Sequence, residues 1–403
     1  MRVLIVGSGG REHARAWAIA RSSALSELHA APGNPGIAEL ASCHPIRADD
    51  SGSIVALARD LHADLVVVGP EAPLVDGLAD ALRGRGIAVF GPSAEAARIE
   101  GSKAFAKNVM EAAGVPTAKA LPVARPPCVV KVDGLASGKG VWVCGTQAEL
   151  DAGLRAAEAL HQPFHVEELL EGEEVSVFAL CDGSHAVPLP AAQDYKRIGE
   201  GDQGPNTGGM GSYSPVSALT DGAVEELVEQ VHRPVLAELA RRRAPFLGAL
   251  YAGLMLTADG PRVLEFNCRF GDPETQSLFP RLDGDLLEAL SAATGGSLGG
   301  TTLNASAAAV TVVLAGRDYP ERGDTGTPID GIADAEAEGA LVFHAGTALR
   351  DGRLVTNGGR ILGVTGVDRT VEAARDRAYE AAGRIAFEGM RFRSDIAALQ
   401  RRA

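Results

Sequence analysis

Short apolar runs alternate with amphipathic stretches over the first hundred residues. The runs at 3–6, 65–68 and 87–90 have the length and composition of buried strands. A Gly-rich or Gly-Pro turn and then a helical pattern follow each run. Strands that alternate with helices indicate a doubly wound parallel sheet, whose ligands bind beyond the carboxyl ends of the strands. We therefore predict an α/β domain over 1–100 with a binding site at its turns.

The hydrophobic pattern changes after Val115-Pro116-Thr117. One long helix is predicted from 93 to about 113, and hairpin-like strands follow it. Strands are predicted at 128–132, 140–144, 165–169, 175–181, 250–256 and 263–267, and helices near 147–160 and 223–242. Residues 192–215 form a charged, Gly-rich loop in this interpretation, and a loop of that length is usually functional.

A small-residue linker at 295–302 separates the last hundred residues from the rest. Strands at 307–314, 341–344 and 361–364 and a helix near 371–385 predict a separate α+β unit. We expect three domains: 1–100, 101–300 with a lid at about 117–182, and 301–403.

The segment around 263–275 carries the most distinctive candidate chemistry. Its first half alternates apolar and polar residues, which places Glu265, Asn267 and Arg269 on one face of a strand. Carboxylate and amide oxygens suit Mg²⁺, which takes a few protein ligands together with substrate phosphates. A guanidinium grips carboxylates or phosphates with its planar fork. This edge therefore predicts a metal site beside an anion site.

Two glycine-rich turns are candidates for binding anions. The turn Gly7-Ser8-Gly9-Gly10 lies between a strand and a helix, where backbone N–H groups can hold a phosphate. The segment 131–141 has lysines at 131 and 139 but differs from a Walker A loop, since Asp133 replaces its first glycine and Gly140 its Ser/Thr. We interpret this segment as a hairpin that closes over triphosphate oxygens.

The composition excludes several classes of protein. The net charge of −14 argues against broad binding to nucleic acids or membrane surfaces. The five cysteines show no zinc-type spacing and are typical of a reducing compartment. No stretch of about 18 uninterrupted apolar residues occurs, as a membrane span would need. We expect a cytoplasmic protein.

The order of these features resembles the ATP-grasp fold: Lys103, Lys131, the hairpin 134–140, the acidic segment 167–174 and Glu265-x-Asn267. More narrowly, the whole chain is similar to the phosphoribosylamine–glycine ligase (glycinamide ribonucleotide synthetase) family. The similarity is carried by Gly9-Gly10-Arg11-Glu12-His13-Ala14, Gly69-Pro70-Glu71-Ala72-Pro73-Leu74, Glu100-Gly101-Ser102-Lys103-Ala104-Phe105, Gln193-Asp194-Tyr195-Lys196-Arg197, Gly204-Pro205-Asn206-Thr207-Gly208-Gly209-Met210-Gly211, 265–276, His344-Ala345-Gly346-Thr347 and Thr356-Asn357-Gly358-Gly359-Arg360.

The resemblance implies an α/β enzyme with an N-terminal doubly wound parallel sheet, a central ATP-grasp domain with a mobile lid, and a C-terminal α+β domain. It implies ATP contacts at Lys103, Lys131, Gly138, Lys139, Glu167, Leu170 and Glu174, and Mg²⁺ or Mn²⁺ ligands at Glu265 and Asn267. It implies contacts to the acceptor substrate at Gly9, Gly10, Arg11, Glu12, Asp194, Lys196, Gly208, Gly209 and Arg269. Arg269, Asp272 and Lys131 are the expected catalytic residues.

The expected reaction joins glycine to 5-phosphoribosylamine at the expense of ATP, through glycyl phosphate, in purine biosynthesis. The expected partners are these small molecules, and we expect a monomer. Two alternatives are another ATP-grasp ligase or carboxylase of purine metabolism and a non-catalytic nucleotide-binding module. A third alternative is a nicotinamide-dependent oxidoreductase. Glu12 argues against it, because Glu12 replaces the third glycine of the dinucleotide-binding fingerprint. The segments before Val129 and Val166 are shorter than is usual in the family, and both lie in or beside the lid.

Overall fold

The computed structural model describes residues 1–135 and 140–398. The N-terminal region contains the strands β1 (Arg2–Gly7), β2 (Glu27–Pro32), β3 (Ser42–Cys43), β4 (Leu65–Val68) and β5 (Ala88–Phe90) and the helices α1 (Gly10–Ile19), α2 (Ser51–Asp60), α3 (Glu71–Val75), α4 (Leu78–Arg83) and α5 (Ala94–Gly101). The strands are all parallel in the order β3-β2-β1-β4-β5. This order confirms the predicted doubly wound sheet, and both faces of β1 and β4 are buried because helices cover them.

The predicted long helix at 93–113 is in fact two helices, α5 and α6 (Lys103–Ala113). Ser102 lies between them in extended conformation, and its hydroxyl accepts a hydrogen bond from the backbone N–H of Phe105 at 3.1 Å. Serine is a favoured N-cap residue because its side chain satisfies an N–H that lacks a helical partner. The extended Ser102 ends α5 and caps α6, so one continuous helical pattern in the sequence becomes two helices in the structure.

A small three-stranded sheet forms the predicted lid region. It contains β6 (Cys128–Val132), β7 (Val141–Cys144), α7 (Gln147–Ala159) and β8 (Phe164–Glu168), with the strand order β7-β6-β8. The pairing of Lys131 with Val141 confirms the predicted hairpin. Gly138 and Lys139 lie outside the described residues. Thr146 and Glu149 form a capping box at the start of α7.

The remaining elements are the strands of one long antiparallel sheet, the strands of smaller sheets, and helices. They are β9 (Glu173–Asp182), β10 (Ala186–Asp194), β11 (Arg197–Gly199), β12 (Gln203–Asn206), β13 (Gly211–Ser214), α8 (Asp221–Leu227), α9 (Arg233–Arg241), β14 (Leu247–Thr257), β15 (Gly260–Asn267), α10 (Glu274–Leu278), β16 (Leu282–Asp283), α11 (Leu286–Thr294), β17 (Asn304–Ala305), β18 (Ala308–Ala315), β19 (Asp324–Pro328), α12 (Ile332–Ala337), β20 (Leu341–His344), β21 (Thr347–Arg350), β22 (Arg353–Gly358), β23 (Arg360–Asp368) and α13 (Val371–Ala382). The order of the long sheet is β15-β14-β9-β10-β13-β18-β23-β20, and the smaller sheets are β11-β12, β16-β17 and β19-β22-β21.

Two predictions need correction here, the loop at 192–215 and the helix at 223–242. The segment 192–215 is not a simple loop, since β11 and β12 form a hairpin within it and β13 joins the long sheet. The predicted C-terminal α+β unit is present, but its strands β18, β20 and β23 extend the long sheet because β18 pairs with β13, while β19, β22 and β21 form a small sheet of their own. The helix predicted at 223–242 is interrupted by a wider π-helical turn at Val228–His232. The exact domain boundaries stay predictions.

Candidate active site

The predicted metal pair lies on β15, the edge strand of the long sheet. Gly253 pairs with Glu265 while the next residue, Leu254, pairs with Val263, so Leu264 is an additional residue and forms a β-bulge. The strict alternation that the sequence predicts is therefore interrupted at this point. Bulges are common beside active sites because they redirect neighbouring groups. Here the bulge leaves the carbonyl group of Leu264 free to accept a hydrogen bond from outside the sheet.

Lys131 supplies that hydrogen bond from the lid. Its Nζ donates to Leu264 O at 3.0 Å and lies 2.8 Å from Glu167 Oε2. The other carboxylate oxygen, Glu167 Oε1, lies 2.8 Å from Lys107 Nζ and 2.8 Å from His165 Nε2. Burial raises the pKa of Glu167, but His165, Lys131 and Lys107 outweigh burial and hold it at about 2. The structure thus brings together Lys131 and Glu167 and adds Lys107, which the sequence analysis missed.

Lys107 could have been found from its spacing. It lies four residues after Lys103 on α6, and residues at that spacing share a helix face. The amino end of α6 also meets the lid, because the Asp133 carboxylate accepts the backbone N–H of Lys103 at 2.5 Å. Lys103 Nζ in turn donates to Gly134 O at 3.3 Å. Leu170 is half-buried between the strands β8 and β9.

Lys196 joins two of the predicted carboxylates. Its Nζ forms an ion pair with Glu174 and lies 3.6 Å from Glu265 Oε1. Burial raises the pKa of Glu265, but the ammonium groups of Lys196, Lys131 and Lys103 outweigh burial and hold it below its usual range. Glu265 is therefore an ionised carboxylate with part of its side chain accessible, as a metal ligand must be.

Further carboxyl groups surround this centre. Burial, opposed by Lys196 but reinforced by neighbouring carboxylates, raises the pKa of Asp194 well above its usual range. Burial likewise raises the pKa of Glu274, whose Oε1 accepts a hydrogen bond from Ser176 Oγ at 3.1 Å. Such crowding of carboxylates is a typical setting for a divalent cation with oxygen ligands. In the described part of the chain, no three His, Cys, Asp or Glu side chains are arranged to hold a metal among themselves.

Asn267 and Arg269 share a buried carboxylate from the end of α5. In the amide orientation that satisfies the neighbouring groups, the side-chain nitrogen of Asn267 donates to Glu100 Oε1 at 3.1 Å. The amide oxygen of Asn267 then faces away from Glu100. Arg269 Nη2 lies 3.0 Å from the same oxygen, and Nε lies 3.2 Å from Glu71 Oε2. Burial raises the pKa of Glu71, but Arg269 and Arg11 outweigh burial and hold it at about 2. The guanidinium of Arg269 is thus fixed by two carboxylates from the N-terminal region.

The turn after β1 is built around Glu12. Its carboxylate accepts the backbone N–H of Gly9 at 2.7 Å and pairs with Arg11 Nε at 2.7 Å. A Cβ placed on Gly69 would lie 2.2 Å from Glu12 Oε1, so the end of β4 closely abuts this carboxylate. Arg11 Nη1 donates to Phe270 O at 3.0 Å, which ties α1 to the segment after β15. Contacts of Gly9, Gly10, Arg11 and Glu12 with the acceptor stay predictions.

The N-terminal turn faces the segment that carries Asp272. A Cβ placed on Gly9 would lie 3.6 Å from Asp272 Oδ2. Burial raises the pKa of Asp272, but Arg360 and Arg11 outweigh burial and hold it below its usual range. Arg360 lies 3.2 Å from Asp272 Oδ2 and also donates to Gly208 O. Predicted acceptor residues from three regions of the chain therefore meet, and Arg360, for which the sequence predicted no role, joins them.

The chain combines a doubly wound domain, a small lid sheet and an antiparallel sheet whose edge carries Glu265 and is approached by Lys131 and Lys196. This combination is that of an ATP-grasp enzyme. Residues 1–100 match the N domain of phosphoribosylglycinamide synthetase, residues 101–275 its ATP-grasp (A) domain and residues 309–399 its C domain. The chain belongs to the phosphoribosylglycinamide synthetase family. It is an ATP-dependent ligase, as the sequence predicts.

Individual relatives agree with this assignment over nearly their full length. The chain is 49% identical to the phosphoribosylamine–glycine ligase of Streptomyces coelicolor, covering 99% of both chains, and 48% identical to that of Mycobacterium bovis, covering 98% and 97%. The crystal structure of the phosphoribosylamine–glycine ligase from Thermotoga maritima superposes with a TM-score of 0.85 at 35% identity, covering 98% of this chain and 100% of that one. Biotin carboxylase from Campylobacter jejuni shares the fold, with a TM-score of 0.70 at 14% identity, covering 97% and 92%.

Proposed function

We propose that this site phosphorylates the carboxylate of glycine with ATP and then transfers the glycyl group to the amine of 5-phosphoribosylamine. A carboxylate resists attack by an amine, and phosphorylation supplies a leaving group. The first step gives glycyl phosphate and ADP; in the second, the amine displaces phosphate to form the amide of glycinamide ribonucleotide. The observation that carries this proposal is the cluster of Lys131, Lys196 and Glu265 at the bulged edge of β15, within a chain that belongs to this family throughout.

In this proposal the chain positions its substrates and neutralises charge, and it supplies no nucleophile. Lys103 and Lys131 bind ATP phosphates, together with Gly138 and Lys139, which lie outside the described residues. Glu167 fixes Lys131 by their 2.8 Å ion pair. Leu170 and Glu174 bind the nucleoside, with Glu174 on the ribose. Arg269 and Asp272 face the acceptor, with Asp194, Lys196, Gly208 and Gly209 beside them.

Glu265 and Asn267 are the proposed ligands of Mg²⁺ or Mn²⁺. Their oxygens fit such an ion because the carboxylate is ionised and the Glu100 contact turns the amide oxygen away from Glu100. A bound divalent cation would neutralise charge on the transferred phosphoryl group. Asp194 and Glu274, which crowd the same region, are candidates for further metal contacts.

The proposal is tested by ADP release from the purified full-length chain. The complete reaction contains Mg-ATP, glycine and 5-phosphoribosylamine, and each is omitted in turn. We expect ADP release to require all three, and glycinamide ribonucleotide to appear by mass spectrometry in equal amount. ADP release that continues without 5-phosphoribosylamine, or that requires bicarbonate, would favour a different ATP-grasp reaction.

We also propose that the enzyme acts as a cytoplasmic monomer. No helix among the described residues is long and apolar enough to cross a bilayer. All five cysteines are free thiols, and four of them are buried. Sedimentation at micromolar concentration should give a single species near the chain mass of 41.6 kDa.

A further inference from the structure

Arg360, the first residue of β23, links the C-terminal region to the segment after β15. Its Nη1 donates to the carbonyl oxygen of Asp272 at 2.8 Å, and its Nη2 lies 3.2 Å from Asp272 Oδ2. One guanidinium therefore binds both the backbone and the side chain of the same residue. Only 22% of the Arg360 side chain is exposed, so these contacts are partly shielded from water.

The same guanidinium holds the loop that precedes β13. Nη1 donates to Gly208 O and, at 3.5 Å, to Gly209 O. The N–H of Gly208 donates to Tyr319 Oη at 2.8 Å. The C-terminal region thus holds residue 208 through its N–H and through its carbonyl oxygen.

Close packing leaves this loop little freedom. Gly209 has φ = +107°, which L side chains rarely adopt, and a Cβ there would lie 2.4 Å from Pro273 Cδ. A Cβ on Gly208 would lie 3.0 Å from Arg360 Cζ. The glycine pair, the Asp272 turn and Arg360 therefore form one packed unit in which a shift of one member displaces the others.

We infer that Arg360 is a positioning residue for the acceptor substrate: it holds the Asp272 carboxylate and the Gly208–Gly209 backbone in the geometry that binds 5-phosphoribosylamine. The inference rests on the proposed function, which assigns these groups to the acceptor. A planar fork can bind several oxygens in fixed directions, whereas an ammonium group cannot. Small displacements at such a site have large effects on rate, and residues that lock the contacting groups are as necessary as the contacts themselves.

The test is steady-state kinetics on Arg360→Gln, Arg360→Lys and Tyr319→Phe in the full-length chain. For Arg360→Gln we expect kcat/KM for 5-phosphoribosylamine to fall about 10- to 100-fold, mainly through KM, while KM for ATP stays within about twofold. Arg360→Lys keeps the positive charge but lacks the planar guanidinium group, so we expect it to restore little of the lost kcat/KM for 5-phosphoribosylamine. Tyr319→Phe removes one hydrogen bond to Gly208 and should change the same KM in the same direction by less. Arg384→Gln is the matched control, since Arg384 pairs with Glu338 on the surface of the same region.

A double-mutant cycle with Asp272→Asn identifies the route of the effect. If Arg360 acts through Asp272, kcat/KM for 5-phosphoribosylamine falls no further in the double variant than in the more severely affected single variant. Wild-type acceptor kinetics in Arg360→Gln, or equal losses for all three substrates, would overturn the inference. If Arg360→Gln does not fold, Tyr319→Phe is the variant that tests the inference. An unchanged KM for 5-phosphoribosylamine in Tyr319→Phe would then contradict it. Failure of the proposed function itself looks different, because the wild-type chain would then lack ADP release dependent on 5-phosphoribosylamine.

Discussion

Lys131 and Glu167 lie diagonally across the neighbouring strands β6 and β8, with 2.8 Å between Nζ and Oε2. The same ammonium group reaches Leu264 O on β15 at 3.0 Å. One side chain therefore joins the lid sheet to the strand that carries Glu265. Because Glu167 is buried and accepts three positive or polar partners, it holds this lysine in a defined position.

Replacing Lys131 with methionine should raise KM for ATP at least about tenfold, the cost of losing one charge-assisted contact at a partly buried site. Lys107→Met should have a smaller effect in the same direction, because it removes a partner of Glu167 and leaves Lys131 in place. The measurement is the ATP dependence of ADP release at saturating glycine and 5-phosphoribosylamine. Lys119→Met is the control, since that side chain is exposed. Equal KM values in Lys131→Met and the control would contradict the role given to Lys131.

Glu265→Ala should nearly abolish ADP formation and leave the melting temperature close to that of the wild type. The expected loss is large because the carboxylate is proposed to hold the ion that neutralises the transferred phosphoryl group. Binding of Mn²⁺ with a non-hydrolysable ATP analogue, followed by electron paramagnetic resonance, gives a readout independent of turnover, and the variant should bind more weakly. Glu229→Ala, which removes a surface ion pair with Arg233, is the control. Wild-type turnover of Glu265→Ala at ordinary Mg²⁺ would remove Glu265 from the metal site.

The sequence pattern predicted the parts of the site that depend on local periodicity. Glu265 and Asn267 follow from an alternating strand, and Lys131 from a strand before a glycine-rich hairpin. The bulge at Leu264 could not be predicted, because it is defined by the register with β14. The place where a register shifts depends on how two strands pair, so it cannot be located from the sequence of one strand alone.

The missed features are those that depend on distant segments. Glu100 meets Arg269 across more than 160 residues of chain, and Arg360 meets Asp272 across 88. The shared sheet was missed for the same reason, since β13 and β18 lie on opposite sides of the predicted linker. A linker of small residues is typical of a domain boundary, but here the chain returns to pair with the sheet it had left.

Gly69→Ala should weaken the acceptor site without changing the charge of any residue. The new methyl group would meet Glu12 Oε1 at 2.2 Å, so the carboxylate that holds Gly9 and Arg11 must move. We expect a lower melting temperature and a raised KM for 5-phosphoribosylamine, with KM for ATP little changed. Gly222→Ala is the control, because a Cβ there meets nothing within 4 Å. The close approach would be unimportant if both variants matched the wild type.

The buried histidines His13, His344 and His232 predict the pH dependence of stability, and burial lowers the pKa of His232 to about 4. His13 Nδ1 accepts the backbone N–H of His344 at 2.8 Å, which joins α1 to β20. Burial, with a smaller contribution from His344, lowers the pKa of His13 to about 3, and burial lowers the pKa of His344 to about 4. All three rings are neutral in the folded protein at pH values where they are protonated in the unfolded chain.

The unfolded chain therefore binds more protons below pH 6.5, and folding stability falls as the pH drops from 6.5 toward 4. At pH 5 each histidine should cost about 2 kcal/mol relative to neutral pH. Melting temperatures at pH 7.5 and pH 5 measure the loss. In His13→Asn, which removes one titrating group, we expect a lower melting temperature at pH 7.5 but a smaller decrease between the two pH values. His161→Asn, at an exposed turn, should keep the wild-type decrease. If His13→Asn also kept the wild-type decrease, His13 would not contribute to the acid sensitivity of the fold.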